Sequence, residues 1–434
     1  MRKLDATGGA GGTGGPERST GALRRVRVPV GGLLVEGVAL AYLVGHDGSP
    51  VWQLARVGVV VTATLLAALV VRRSVRAAPL ACYLAGIVGL SVGVGIGVMH
   101  LVRSGPLAVT LAGLACLLSG LLLLAWGTLD GSRRAGGWWR LLVVVGVAAG
   151  VVALVAPSAP ALYATNVPRP SVGEATPRDR GQDFAAVRFV TRDGAQLSGW
   201  YLPSANGAAV VLLHGASSTR SAVLDHAVVL ARHGYGVLLY DARGHGRSSG
   251  RAMEFGWYGD QDVAAAVSFL GAQDGVDPRR IGAVGMSMGG EQALGAAGSD
   301  GRIRAVVAEG ATARTSADIA WLSEEYGVRG GVTEAWRGLL QYGLTDLLTE
   351  ASPPVSLRAA AGLTAPRPVL LITASTVPEE SLAADYIRSS SPRTVSVWEV
   401  PGAAHAGGLQ TRPAAWEHRV VAFLDRALAP ATVR

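Results

Sequence analysis

The sequence predicts an α-helical membrane-spanning region followed by an α/β domain built on a mostly parallel sheet. Three observations carry this. Half of the 434 residues are hydrophobic and the mean hydropathy is +0.34, too apolar for a single water-soluble domain. The long apolar segments all fall before residue 157. From Phe184 onward, short apolar runs alternate with amphipathic helical patterns, as strands wrapped by helices require.

Residues 1–22 are Gly/Thr-rich with scattered charges and are expected to be a disordered tail. Five apolar segments follow within residues 23–156: 30–44, 51–71, 79–102, 107–126 and 138–156. All but the first reach or approach bilayer-spanning length. The first is short and carries Glu36, whose burial in lipid is costly. It is either an interfacial segment or a span whose Glu36 faces neighbouring helices. No small-residue cleavage site follows it, so a signal peptide fits poorly. Glycines recur in the third segment (Gly86, Gly89, Gly93, Gly95, Gly97), which suits close helix packing.

The net charge is +8 and nearly all basic residues are arginine. Nucleic-acid binding would need a basic face with interleaved aromatics. Many of the arginines flank apolar segments instead. Arg24, Arg25 and Arg27 precede the first, Arg72, Arg73 and Arg76 separate the second from the third, and Arg133, Arg134 and Arg140 precede the fifth. Residues 46–50 hold none, and the turn after the third segment holds only Arg103. The arginine-rich side is therefore expected to be cytoplasmic, which puts everything after the fifth segment on the outer face. Intramembrane charge is sparse, so the region reads as an anchor in the lipid bilayer rather than a transport path. Cys82 and Cys116 both lie in apolar segments and imply no disulfide framework.

Residues 157–183 are rich in Pro, Ala, Ser and charge without periodicity and are expected to form an extended linker. Residues 184–430 are then one domain. Runs at 187–191 and 197–202, around Arg192-Asp193-Gly194, predict an antiparallel hairpin. Further strands are expected at 209–213, 237–240, 281–284, 305–308, 368–372 and 395–399, with helices at 221–232, 260–270 and 413–428. Residues 310–365 form an insertion with Trp321, Tyr326, Trp336 and Tyr342 and a helical stretch at 334–350. It is either a cap lining an apolar pocket or a helical excursion packed on the sheet.

The chemistry centres on Gly285-Met286-Ser287-Met288-Gly289, which joins an apolar run to a helix-competent segment. Strand, sharp turn and helix in that order make a nucleophile elbow: strain holds the Ser287 hydroxyl at the tip, and the helix N-terminus favours developing negative charge. A serine needs an adjacent base. Only His405 and His418 lie in the C-terminal part. His418 belongs to an amphipathic helix, whereas His405 sits in a Gly/Ala-rich loop after a strand. His226, His233 and His245 have structural readings, in a helix, at its end and in a glycine-rich turn.

Several motifs carry a resemblance. They are Leu212-Leu213-His214-Gly215, Asp241-Ala242-Arg243-Gly244-His245-Gly246-Arg247-Ser248, Val276-Asp277-Pro278-Arg279-Arg280-Ile281 ahead of the elbow, and Pro401-Gly402-Ala403-Ala404-His405. With these, residues 184–428 resemble the α/β-hydrolase superfamily, in its prolyl-oligopeptidase and serine-aminopeptidase type branch. The resemblance implies an α/β-hydrolase fold and the chain order serine, acid, histidine. It implies Ser287 as nucleophile, His405 as base, and an oxyanion hole from the backbone N–H of Met288 and of Gly215 or Ala216.

The acid departs from the pattern. After the strand at 368–372 an Asp is expected within four or five residues, but the chain has Thr373-Ala374-Ser375-Thr376-Val377-Pro378-Glu379-Glu380. Glu379 or Glu380 can serve, since the role is to orient an imidazole. Both also suit the first turn of a helix. Glu309 is a second choice, and Asp385 is assigned to a helix face. The expected function is a membrane-anchored serine hydrolase acting on a small-molecule or lipid-like ester, thioester or amide. The missing Asp leaves open a catalytically silent binding module of a membrane complex. No metal-ligand spacing or phosphate loop is present, so no metal or cofactor is expected.

Overall fold

The computed structural model describes residues 17–45, 50–105 and 107–430. The chain divides into two compact units, Met1–Ala156 and Pro157–Arg434.

Five helices open the chain: α1 (Glu17–Gly45), α2 (Pro50–Arg73), α3 (Ala78–Ser104), α4 (Ala108–Arg134) and α5 (Trp139–Thr165). Four of them, α2 to α5, are long and apolar enough to cross a membrane. Against the five expected spans, α1 offers only the shorter apolar stretch Pro29–Gly45. Of the expected tail, residues 17–22 are helical in α1, and residues 1–16 lie outside the described residues. Glu36 is buried with its carboxylate 3.4 Å from the Ser119 hydroxyl of α4, so it faces neighbouring helices. The glycines of α3 permit close backbone approach. A Cβ at Gly97 would lie 2.6 Å from the Gly113 backbone, and one at Gly86 2.9 Å from the Gly120 carbonyl.

The fifth apolar segment does not stop at Ala156; α5 continues through Pro157 and Pro160 to Thr165. Residues 157–183 are correspondingly no free linker. Ala161, Ala164, Thr165 and Pro177 are buried, and the Gly246 amide donates to the Pro170 carbonyl at 3.1 Å. The composition suggested an extended segment because it is rich in Pro, Ala, Ser and charge without helical or strand periodicity. The few small apolar side chains are nevertheless enough to seat it.

The second unit is an α/β-hydrolase fold. Its eight strands are β1 (Ala185–Val190), β2 (Gln196–Leu202), β3 (Ala209–Leu213), β4 (Gly236–Tyr240), β5 (Ile281–Met286), β6 (Ile303–Glu309), β7 (Val369–Ala374) and β8 (Val395–Val400). They pair in the order β1-β2-β4-β3-β5-β6-β7-β8. The β1–β2 hairpin and the β2–β4 pair are antiparallel, and all other pairs are parallel. Strands β3, β4, β5 and β6 are buried almost throughout, as their continuous Val/Leu/Ala runs require of a sheet covered on both faces. Helices α6 (Leu224–Arg232), α7 (Gly259–Gly271), α8 (Met288–Ser299), α9 (Trp321–Arg337), α10 (Leu344–Leu348), α11 (Leu357–Thr364), α12 (Pro378–Arg388), α13 (Gly408–Thr411) and α14 (Pro413–Ala427) complete the unit. Leu213, Val263, Ala293 and Leu371 belong to the core on one sheet face, and Leu212, Leu230, Val284 and Trp416 to that on the other. Because β3 lies between β4 and β5, the order reverses there, and loops leaving the carboxyl ends of β3 and β5 meet in one crevice.

The insertion differs from the single expected helix at 334–350. It contains α9, kinked at Gly327 (φ 56°), then a wide turn Gly338–Gly343 and the short α10. Trp321 and Tyr342 are buried with Met253, Trp257 and Ile319, while Tyr326 and Trp336 are exposed. The four aromatics therefore do not act as one set.

Candidate active site

The turn between β5 and α8 puts Ser287 at φ 54°, ψ −123°, a region that L-residues rarely occupy. The flanking glycines answer to crowding rather than to their own φ. A Cβ at Gly285 would fall 2.1 Å from the Gly289 carbonyl oxygen, and one at Gly289 2.6 Å from that of Leu213. The serine carries the strain, and the glycines let the helix close beneath it. The Ser287 amide donates to the Glu309 carbonyl at 2.7 Å, fixing the elbow to the end of β6.

His405 lies on the loop after β8, its Nε2 2.8 Å from Ser287 Oγ and its Nδ1 2.6 Å from Glu380 Oε1. Glu380, on the first turn of α12, is 1% exposed, and its other oxygen accepts the Ala374 amide at 2.8 Å. With Nδ1–H donating to the carboxylate, Nε2 is left to accept from the serine hydroxyl. The hydrogen bond to Glu380 is the main influence raising the imidazole above its usual pKa. Burial opposes it, and the negative charges of Glu380, Glu291 and Glu309 add to it.

The structure thus brings Ser287, His405 and Glu380 into one hydrogen-bonded line. It does not bring Glu379 there: that side chain is exposed on α12, where it suits the helix N-terminus. Asp385 pairs with Arg388 at 3.1 Å on the same helix. Glu309 is buried and accepts the Gly408 amide at 2.6 Å and the Trp416 indole N–H at 2.9 Å, so it anchors the loop that carries His405. Burial raises its pKa. Ser375 and Thr376 hold the same loop, at Gly402 N and Ala403 O, by bonds of 2.8 and 2.7 Å. These two side chains gave no signal in the sequence, because Ser and Thr are common after any strand. His418 is exposed, His233 pairs with Glu417, and His226 packs edge-on against Trp416.

On the other side of Ser287 is the turn after β3. A Cβ at Gly215 would sit 3.3 Å from that of Ser287, so glycine keeps the approach open. His214 is buried, and its Nε2 accepts the Ala242 amide at 2.9 Å, which leaves the proton on Nδ1 for the Gly215 carbonyl at 2.7 Å. The Ser218 hydroxyl donates to the same carbonyl at 2.9 Å. In a trans peptide the N–H points opposite the C=O, so gripping Gly215 O aims the Ala216 N–H. Burial pushes His214 down to about 3, so it stays neutral and keeps this tautomer. Met288 opens α8, and its N–H has no acceptor within the helix. The Met288 amide thus follows the serine directly, and the Gly215 turn lies against the serine's Cβ.

The Asp241–Ser248 motif braces this turn from below. Asp241 accepts the Arg220 amide at 3.0 Å and the Arg247 amide at 2.9 Å, and His245 Nδ1 lies 3.0 Å from the Arg243 carbonyl. Among the described residues no three His, Cys, Asp or Glu side chains converge as a metal set.

Residues 204–345 match the family model described as serine aminopeptidase, S33. A thiohydrolase, aneE, of Aspergillus aculeatus is 39% identical over 128 residues, which cover 29% of this chain and 40% of that protein. An uncharacterized Mycobacterium tuberculosis protein is 38% identical over 133 residues, 30% of this chain and 45% of the relative. The chain therefore spans under half the length of these curated relatives. A solved Pyrococcus furiosus esterase, Pf2001, is 25% identical with a TM-score of 0.48 and covers 60% of this chain and 98% of its own.

Proposed function

We propose that this chain is a membrane-anchored serine hydrolase that cleaves an ester, thioester or amide through an acyl-enzyme. The observation that carries the proposal is the unbroken line Ser287 Oγ, His405 Nε2, His405 Nδ1, Glu380 Oε1, at 2.8 and 2.6 Å. The match to the serine aminopeptidase model supports it.

In this reading Ser287 Oγ attacks the substrate carbonyl carbon while His405 Nε2 takes the hydroxyl proton. The carbonyl oxygen becomes an oxyanion, held by the N–H groups of Met288 and Ala216. The imidazolium is stabilised by the hydrogen bond from its Nδ1–H to Glu380. Collapse breaks the bond to the leaving alcohol, thiol or amine, and His405 returns the proton to it. Water, deprotonated by His405 Nε2, then attacks the acyl carbonyl carbon; collapse breaks the bond to Ser287 Oγ, His405 returns the proton to that oxygen, and the carboxylic acid leaves. Glu380 in this role removes the reason for the silent-module alternative, which rested on the missing Asp. The thioester option is favoured by the thiohydrolase relative.

The distribution of arginines around α2 to α5 supports placing the domain on the extracytoplasmic side. A Cys introduced at exposed Arg302 should react with an impermeant maleimide in cells whose wall has been permeabilised; protection there would reverse the topology.

The activity test is turnover of p-nitrophenyl esters, acyl thioesters and aminoacyl anilides of graded chain length by the full chain in detergent. Hydrolysis of at least one series, lost in Ser287→Ala and in His405→Ala, is expected. Turnover that survives Ser287→Ala would overturn the proposal.

A further inference from the structure

The loop that carries the Ala216 N–H is held from an unexpected quarter. Ser217, the next residue, has φ 54°, the left-handed region that disfavours any side chain. Something must hold it there. The Glu254 carboxylate accepts the Ser217 amide on both oxygens, at 2.8 and 2.6 Å, and the Ser217 hydroxyl at 2.8 Å. Because that hydroxyl donates its one proton to Glu254, it accepts from the Tyr163 hydroxyl. A chain of donors therefore runs from Tyr163 to Ser217 to Glu254.

Tyr163 lies in the last turn of α5, the helix whose apolar stretch is a candidate membrane span. Its neighbours in that turn are seated in the second unit. Ala161, Ala164 and Thr165 are at most 1% exposed, and the Ala164 carbonyl accepts the Glu254 amide at 3.0 Å. Arg251 donates to Asn166 Oδ1 at 2.8 Å, and Arg169 donates to the Gly250 carbonyl at 3.1 Å and to the Ser248 carbonyl. The end of α5 and the segment after it thus grip the loop that carries Glu254, and both ends of the Tyr163–Glu254 chain are fixed.

The geometry points to Tyr163 and Glu254 as positioning residues for the oxyanion hole. They hold Ser217 in its left-handed conformation, and so hold the Ala216 N–H where the reacting oxygen needs it. The last turn of the final apolar helix is then a working part of the reaction centre, and a hydrolase domain that began after Thr165 would lack that part. This rests on the hydrolase reading above.

The test uses the full chain in detergent, with kcat and KM measured beside the affinity of an alkyl boronate, whose tetrahedral anion mimics the oxyanion intermediate. Tyr163→Phe should lower kcat about tenfold with KM within about twofold, less than the 10²–10³ lost with an oxyanion donor itself. Boronate binding should weaken in the same proportion, whereas a merely structural role would leave it in step with KM. Ser217→Gly tolerates the left-handed φ and lacks the hydroxyl, so in that background Tyr163→Phe should change nothing further. A kcat for Tyr163→Phe within twofold of the unaltered chain overturns the inference, as does an equal loss in both backgrounds. If Tyr163→Phe does not fold, Ser217→Gly alone decides: unchanged kcat and boronate affinity overturn the inference, and a parallel loss supports it. An unaltered chain that neither hydrolyses substrate nor takes up a fluorophosphonate overturns the hydrolase reading itself; an active chain indifferent to Tyr163 overturns only the inference.

Discussion

Replacing Glu380 by Gln tests the assignment of the acid at nearly constant volume. The Gln carbonyl can keep the 2.8 Å bond from the Ala374 amide, which places the NH2 group toward His405 Nδ1, now 2.6 Å from a carboxylate oxygen. An NH2 group can only donate, so Nδ1 must become the acceptor and the proton moves to Nε2. Nε2 then points a hydrogen at Ser287 Oγ, the atom it is meant to deprotonate. The Asn variant of the corresponding Asp in a serine protease loses about 10⁴ in kcat for this reason. The expected loss here is about 10³–10⁴, or roughly 4–5.5 kcal/mol of transition-state stabilisation. The Glu380 bond is also the main influence raising His405, and the reaction needs the neutral imidazole. The acid limb of kcat/KM should therefore sit above pH 6.5 in the unaltered chain and move down in Glu380→Gln. Steady-state hydrolysis of an activated ester from pH 5 to 9 gives both quantities, with Glu379→Gln as a control expected to stay within about twofold. A Glu380→Gln variant within threefold of the unaltered chain, with the same acid limb, would refute the reasoning.

Two further outcomes follow from buried groups. Glu309→Gln keeps one carbonyl for Gly408 N or Trp416 Nε1 but turns an NH2 donor toward the other N–H. It should cost about 1–3 kcal/mol in urea unfolding and lower kcat far less than Glu380→Gln; equal losses of kcat would make Glu309 the acid instead. His226, buried against Trp416, is pushed down to about 4 by desolvation, so the folded state refuses a proton that the unfolded chain accepts below pH 6.5. Its contribution is intact above pH 6.5 and is lost as the pH falls toward 4, reaching about 2.5 kcal/mol at pH 4.5. Glu291, pushed up to about 7, works in the opposite sense, losing stability as the pH rises from 4.5 toward 7, but it is common to both chains. His226→Phe should therefore gain on the unaltered chain by that amount between pH 7.5 and 4.5 in paired urea titrations; parallel curves would contradict the burial argument.

The strand pattern was legible in the sequence because each strand is a short apolar run closed by turn residues, and the parallel ones are too buried to need alternation. The elbow was legible because crowding at Gly285 and Gly289 excludes every larger residue. Glu379 and Glu380 were not separable: adjacent residues on a helix point about 100° apart, and only the packing of α12 on β7 decides which turns inward. The end of α5 was missed because prolines at 157 and 160 suggested a stop, whereas apolar burial of Ala161 and Ala164 carries the helix on to Thr165. The part played by Tyr163 was invisible for a related reason. A tyrosine more than fifty residues upstream of Ser217 has no spacing relation to it, and the contact exists only once both are folded.

The central claim, that Ser287 is the activated nucleophile, is tested most directly by treating the full chain in detergent with a fluorophosphonate and mapping the modified peptide by mass spectrometry. A single phosphonyl adduct is expected on Ser287, formed rapidly, absent in Ser287→Ala, and slowed at least a hundredfold in His405→Ala. An adduct on another residue, or labelling that persists in Ser287→Ala, would contradict it.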